Sequence, residues 1–247
     1  MIAIVVAVLG YFFLKGKLVE IDKNTFCPKK NPADITAVLI DRTDRLNAVQ
    51  QASIRVRLND LREEIPVGGS LELYSVGPID KELLRPEFKM CNPGRGDEVN
   101  PLIGNQRIVE RRWKEGFYKP LQRVFDNMLA PGTAAKSPIM ESIQSIAVST
   151  FSRRKLKNVE KRLVLVSDML QHTNNISHYR GDLDFDKLRE SDHYRHVRAN
   201  LKDVKIIILY INRENTGNLQ GRNHIEYWQK YFADQGAILV RVASIEG

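Results

Sequence analysis

The chain has 247 residues, 38 Lys plus Arg against 30 Asp plus Glu for a formal charge of +8, and 43% hydrophobic residues. This composition excludes a disordered, collagen-like or coiled-coil protein, and the length supports one large α/β domain or two small ones. With 2 cysteines there is neither a disulfide scaffold nor a four-thiolate zinc site, and with one long apolar run there is no multi-span membrane protein.

That run, Met1 to Leu14 (MIAIVVAVLGYFFL), carries no charged side chain and is closed by Lys15 and Lys17. It reads as an uncleaved single-pass anchor of the bacterial type over residues 1–17, because neither a basic n-region nor a small-residue cleavage site frames it. At about 1.5 Å per residue it covers about 21 Å of a roughly 30 Å hydrocarbon core, so it spans with local thinning, snorkelling lysines or further residues upstream. The membrane face is in conflict. Lys15, Lys17, Lys23, Lys29 and Lys30 follow the run, which favours the cytoplasm for what comes next. Cys27 and Cys91 lie where one bridge could tie the anchor-proximal segment to the domain, which would persist only in an oxidising compartment and tips the reading toward the extracytoplasmic side. The alternative is two unrelated thiols.

A polar linker (residues 18–34) leads to a domain over residues 35–247. Thr36 to Ile40 (TAVLI) is a strand buried on both faces and ends in Asp41. A helix from about Leu46 to Ile65 follows, with Val49, Ala52, Val56 and either Leu58 or Asn59 flanking one face, until Pro66 and Gly68-Gly69 stop it. Leu71 to Val76 alternates as a strand, and the Pro- and Gly-rich stretch Gly77 to Gly104 holds a short edge strand around Glu87 to Cys91. Gln106 to Leu129 is helical, with Ile108, Trp113, Phe117, Leu121, Val124, Phe125 and Met128 on a common side and a kink at Pro120. Ser137-Pro138 opens a helix to Phe151, with Ser137 as cap and Glu141 near its positive end.

A basic loop, Arg153 to Lys157, precedes the strand Arg162 to Ser167, which ends in Asp168. A helix near Phe185 to Leu201, a strand Lys205 to Ile211, a helix near Gly221 to Gln235 and a strand Ile238 to Ala243 complete the chain. Strands alternating with helices imply a doubly wound, mostly parallel sheet with one antiparallel edge strand, whose sites lie at the carboxyl ends of the strands. Asp41 and Asp168 sit at two such ends, and a carboxylate there must be solvated, hydrogen-bonded or bound to a cation.

Asp41-Arg42-Thr43-Asp44-Arg45 after the first strand, Lys136-Ser137-Pro138 before a later helix and Ser167-Asp168-Met169 after the fourth strand resemble the metal-ion-dependent adhesion site of the von Willebrand factor A-like domain family. The order of elements from Thr36 to Ala243 resembles it as well. The resemblance implies a Rossmann-like fold and a Mg²⁺ site built from Asp41, Thr43, Ser137 and Asp168, completed by an acidic side chain of a protein partner. Such oxygen donors suit a hard divalent cation. Arg42, Asp44, Arg45 and His172 would touch the partner. Arg45 departs from the pattern, since it stands where a hydroxyl is expected and has no lone pair to give. Either it points away from the metal, or the site is metal-free and Arg45 pairs with Asp41 or Asp168.

The expected function is therefore a membrane-anchored protein-interaction module without turnover of a substrate. One alternative is a Mg²⁺-dependent phosphohydrolase with Asp41 as nucleophile, against which stands Thr43 in place of a second acid. Another is a metal-free assembly subunit of a membrane complex. His172 and His178 follow Asp168 either as site residues or as solvated loop histidines. Arg180-Gly181-Asp182 recurs by chance and is assigned no role. The basic stretches Arg107 to Lys114 and Arg153 to Arg162 read as solvated faces, and nucleic acid is not an expected partner, because interleaved exposed aromatics are missing.

Overall fold

The computed structural model describes residues 20–77, 82–99, 104–130, 132, 134–152, 156, 158–213, 216 and 219–247. The expected anchor and most of the basic loop after Ser152 lie outside the described residues. Among the described residues no helix is long and apolar enough to cross a membrane.

Strands β1 (Asp34–Ile40), β2 (Ser70–Ser75), β3 (Phe88–Cys91), β4 (Glu160–Ser167), β5 (Val204–Ile211) and β6 (Ile238–Ile245) form one sheet in the order β3-β2-β1-β4-β5-β6. All neighbours are parallel except β2 and β3, which run antiparallel at one edge. The chain winds outward from β1 to β2 and then returns to β4 on the other side of β1. The crevice at the carboxyl ends of β1 and β4 is thus the point where the winding reverses, the favoured place for a site in an open α/β sheet.

Both faces of the sheet are covered, so the central strands are apolar throughout rather than alternating. Ile35, Ala37 and Leu39 of β1 face one core with helices α4 (Ile139–Ile146), α5 (Phe185–Glu190), α6 (Asp192–Val197) and α7 (Arg222–Asp234). Val38 and Ile40 face the other, with α1 (Ala48–Glu63) and α3 (Lys119–Met128), while α2 (Gln106–Arg111), which leads into α3, buries no residue.

Several helices differ from their sequence patterns for identifiable reasons. The α1 face turned inward carries Gln50, Ile54, Leu58 and Leu61, while Val49 is 64% and Val56 58% exposed. The polar Gln50 is buried because its amide donates to the Asn212 carbonyl at 2.9 Å, an interaction that no hydrophobic count anticipates. Between α2 and α3 the backbone takes π geometry over Arg112–Tyr118, so the irregularity precedes Pro120. In this run Phe117, Leu121, Phe125 and Met128 are buried, and Ile108 is exposed. A second π segment, Ala147–Phe151, ends α4. The single helix expected near Phe185 to Leu201 is two, because Ser191 is extended and its hydroxyl accepts from Tyr194 N as the cap of α6.

At the amino edge of the sheet the chain from Glu20 to Lys29 folds back on itself, with Asp22 N donating to Cys27 O and Lys29 N to Glu20 O, both at 2.8 Å. Cys27 and Cys91 are joined in a disulfide, and Cys91 N donates to Thr25 O at 2.8 Å. This fold-back covers the outer side of β3, an edge that would otherwise offer unpaired backbone groups.

Candidate functional site

Asp41 extends β1 by one step, its N–H donating to Val166 O at 2.8 Å, so its carboxylate is carried into the crevice between β1 and β4. There it is 3% exposed and fully hydrogen-bonded. Oδ1 accepts from Thr43 N at 3.0 Å and Thr43 Oγ1 at 2.7 Å. Oδ2 accepts from Ser137 Oγ at 3.0 Å and Ser167 Oγ at 2.8 Å. Four donors thus satisfy a buried polar group that would be costly to leave unpaired.

Ser137 therefore does not cap the following helix. Its hydroxyl is spent on Asp41, the N-cap position of α4 falls to Pro138, and no side chain caps that end. The backbone of His172 fixes Ser137 in place, with Ser137 N donating to His172 O and His172 N to Ser137 O, both at 2.9 Å. The His172 ring is half-buried and turned to Ser177 Oγ at 2.8 Å, so it lines the site through its main chain.

The loop after β4 is held as tightly. Ser167 Oγ accepts from Met169 N at 2.8 Å and Asp168 Oδ1 from Leu170 N at 3.0 Å. Met169 takes a left-handed conformation, φ 62°, which costs a residue with a side chain roughly 1 kcal/mol or more. The turn aims the Met169 carbonyl inward, where it accepts from the Trp228 indole at 2.9 Å. His178 is buried beneath it, edge-on to Trp228 and Tyr227, with Nδ1 3.0 Å from His224 Nε2. His178 is thus a core residue, neither a solvated loop histidine nor part of the carboxylate cluster.

The cationic partner of the crevice comes from a segment with no place in the sequence reading. Arg213, two residues past the end of β5, donates from Nε to Asp168 Oδ2 at 2.9 Å and from Nη1 to Arg45 O at 2.6 Å. Gln220 supports it, accepting from Arg213 N at 2.8 Å and donating to the Asp168 carbonyl at 3.1 Å. Arg45 itself is exposed and reaches the crevice only through its carbonyl, so neither Asp41 nor Asp168 has Arg45 as ion-pair partner. Burial pushes Asp168 up to about 6, the Asp41 carboxylate adds to the rise, and Arg213 opposes it.

Of the residues expected at the site, Asp41, Thr43 and Ser137 touch one another, and Asp168 stands beside them on Arg213. Arg42 is half-buried, whereas Asp44 and Arg45 are exposed and line a cleft of about 550 Å³ together with Asn47, Tyr179, Asn212 and Arg213. Ser167, Arg213 and Gln220 complete the cluster. The carboxylate and hydroxyl oxygens are of the kind a divalent cation takes. As folded they do not fit one, because the guanidinium lies against Asp168 Oδ2 and both Asp41 oxygens already accept two hydrogen bonds each. Among the described residues no group of three or more His, Cys, Asp or Glu side chains could hold a metal ion.

No protein-family model matches the chain, and no curated protein matches it. Among solved structures it is similar to a conserved hypothetical protein BatB from Bacteroides thetaiotaomicron, at 9% identity and TM-score 0.43 over 85% of this chain and 91% of that one. It is also similar to an aerotolerance-related membrane protein from Bacteroides fragilis, at 8% identity and TM-score 0.37 over 85% of this chain and 90% of that one.

Proposed function

We propose that the chain is a membrane-anchored interaction module of the von Willebrand factor A-like kind, which captures a protein partner at the carboxyl edge of its sheet with an arginine standing in for the divalent cation. The observation that carries this reading is the cluster of buried Asp41, Thr43, Ser137, Ser167 and Asp168 with half-buried Arg213 on Asp168, placed where the winding of the sheet reverses. It gathers four distant segments into a rigid floor beneath a polar cleft. Rigid polar floors with exposed charges at the rim suit recognition, because the partner meets a preformed surface and little ordering is left to do.

Enzymatic readings have less support. An attacking carboxylate needs a free lone pair and access to its substrate, yet Asp41 is 3% exposed and each of its oxygens already accepts two hydrogen bonds. The Cys27–Cys91 bridge supports an extracytoplasmic domain, since such a bond persists in an oxidising compartment. It outweighs the lysines after the apolar run as a guide to the side.

The reading is tested by quantitative co-purification from membranes of the full chain and of a rim variant, Asp44→Lys with Arg45→Glu. Both side chains are exposed, so the fold tolerates the exchange. Partner recovery is expected to fall at least about tenfold, as when like charges are set against each other across an interface, and to be indifferent to chelator in the wild type. Equal recovery by the variant contradicts the assignment of this face.

A further inference from the structure

At the opposite end of the sheet from the candidate site, the fold-back Glu20 to Lys29 packs against the irregular helical run that follows α2. Gly116 is what allows this, since a Cβ there would come within 2.6 Å of Phe26 Cζ. The disulfide fixes the same fold-back to β3, and Pro28 lies against Gly68 just before β2. The helical surface from Arg107 to Lys114 is therefore held in fixed relation to the point where the chain arrives from its N-terminal apolar run. Five residues lie between Leu14 and Glu20, and the six steps from one to the other reach about 22 Å at most at 3.3 to 3.6 Å per residue.

This surface carries four basic groups and one exposed acid, Glu110, which accepts from Gly96 N at 3.0 Å. Arg107, Arg111, Arg112 and Lys114 are all exposed, and among the described residues none has a carboxylate within ion-pair distance. Exposed basic groups without a carboxylate partner occur elsewhere too, Arg57 and Lys202 among them; these four are set apart by lying together on one short helical surface. Ile108 is exposed in the middle of the basic group. Trp113 is half-buried against the core, stacked on Tyr118 with ring centroids 5.1 Å apart and covered by the Arg95 guanidinium at 4.4 Å, so it braces this surface from within. Unpaired basic groups around an exposed apolar side chain are the pattern of a surface lying at lipid headgroup level.

We propose that the Arg107–Lys114 face rests on the anionic phospholipid headgroups of the membrane that holds the chain, which sets the sheet on end and turns the carboxyl-edge cleft away from the bilayer. The proposal rests on the anchor assigned above. Basic groups near an anionic surface each add roughly fivefold to its occupancy, an effect that falls off within about 8 Å at physiological salt. Four of them so close to a tether give a stable posture in which a partner has open access to the cleft.

The test is amide hydrogen exchange over residues 106–118 in the full chain, inserted in nanodiscs of phosphatidylcholine alone or mixed with phosphatidylglycerol. Exchange is expected to be at least about threefold slower in the anionic discs, in keeping with the strength of such contacts. The difference should vanish at high salt and in Arg107→Glu/Arg111→Glu/Lys114→Glu, whose exposed positions leave the core untouched. Equal exchange in the two lipids by chain that co-elutes with the discs, or protection retained in the triple variant, overturns the surface contact alone. Failure of the wild type to co-elute with discs overturns the anchor and this proposal with it.

Discussion

Arg213→Ala is expected to lower the folding stability by about 3 kcal/mol, the low end of what removing one partner of a buried ion pair costs. The low end applies because the Arg213 side chain keeps 16% of its exposure, against 3% for Asp168. What the substitution leaves behind decides the magnitude. Asp168 would retain only the Leu170 N–H at 3.0 Å while Asp41 remains close enough to oppose its ionisation. Adding Asp168→Asn removes the uncompensated charge, so the double variant should recover much of the loss. Urea denaturation of the four proteins measures this as a double-mutant cycle. Strictly additive effects would mean that the two side chains do not act as a pair.

Acid lability is the second large effect. Burial and the neighbouring His224 hold His178 down to about 3, and burial holds His224 down to about 4. Both rings lie in a closed network with Tyr210 and Trp228, the Tyr210 hydroxyl 2.6 Å from His224 Nδ1. In the unfolded chain they take up protons near 6.5, so the unfolded state binds more protons than the native one as the pH falls from there toward 4. Stability rises with pH in that window and is lost on acidification. Asp168 works the other way, because its native value near 6 lies above its unfolded value. Between pH 6 and 4 it offsets one of the two histidines, leaving a net loss of about 1.4 kcal/mol per pH unit. Urea unfolding at several pH values should show a slope about 1.4 kcal/mol per pH unit smaller in His178→Phe than in the wild type over this window. A slope unchanged in that variant would place the titrating group elsewhere.

Much of the architecture was legible because the strands carry it. TAVLI and RLVLVS are continuous apolar runs, and the structure buries each between two layers of helices. Strand ends marked by Asp41 and Asp168 pointed to the crevice for the same reason. The helices were less legible. The inward face of α1 was misplaced because a buried Gln50 satisfied by a distant carbonyl carries no hydrophobic signal. Two π segments escaped because a repeat of 3.6 residues cannot register a turn with an extra residue.

Ser137 had two possible uses, as a cap and as a donor into the crevice, and only the approach of Asp41 decides between them. Of the two alternatives for Arg45, pointing away or pairing with Asp41 or Asp168, the structure has the side chain exposed and the guanidinium of Arg213 on Asp168 instead. Arg45 is near Asp41 in sequence, whereas Arg213 is 45 residues from Asp168. One signal was available, since Arg213 follows the end of β5 and so belongs to the same carboxyl edge.

Calorimetric titration of Mg²⁺ into the full chain, beside Arg213→Ala and Arg213→Ala/Asp41→Ala, tests the guanidinium as resident cation most directly. The wild type is expected to give no saturable heat, Arg213→Ala to bind Mg²⁺ through the vacated oxygens, and the double variant to lose that binding. Saturable binding by the wild type that disappears in Asp41→Ala would contradict the account and make the divalent ion, with Arg213 displaced, the working occupant of the crevice.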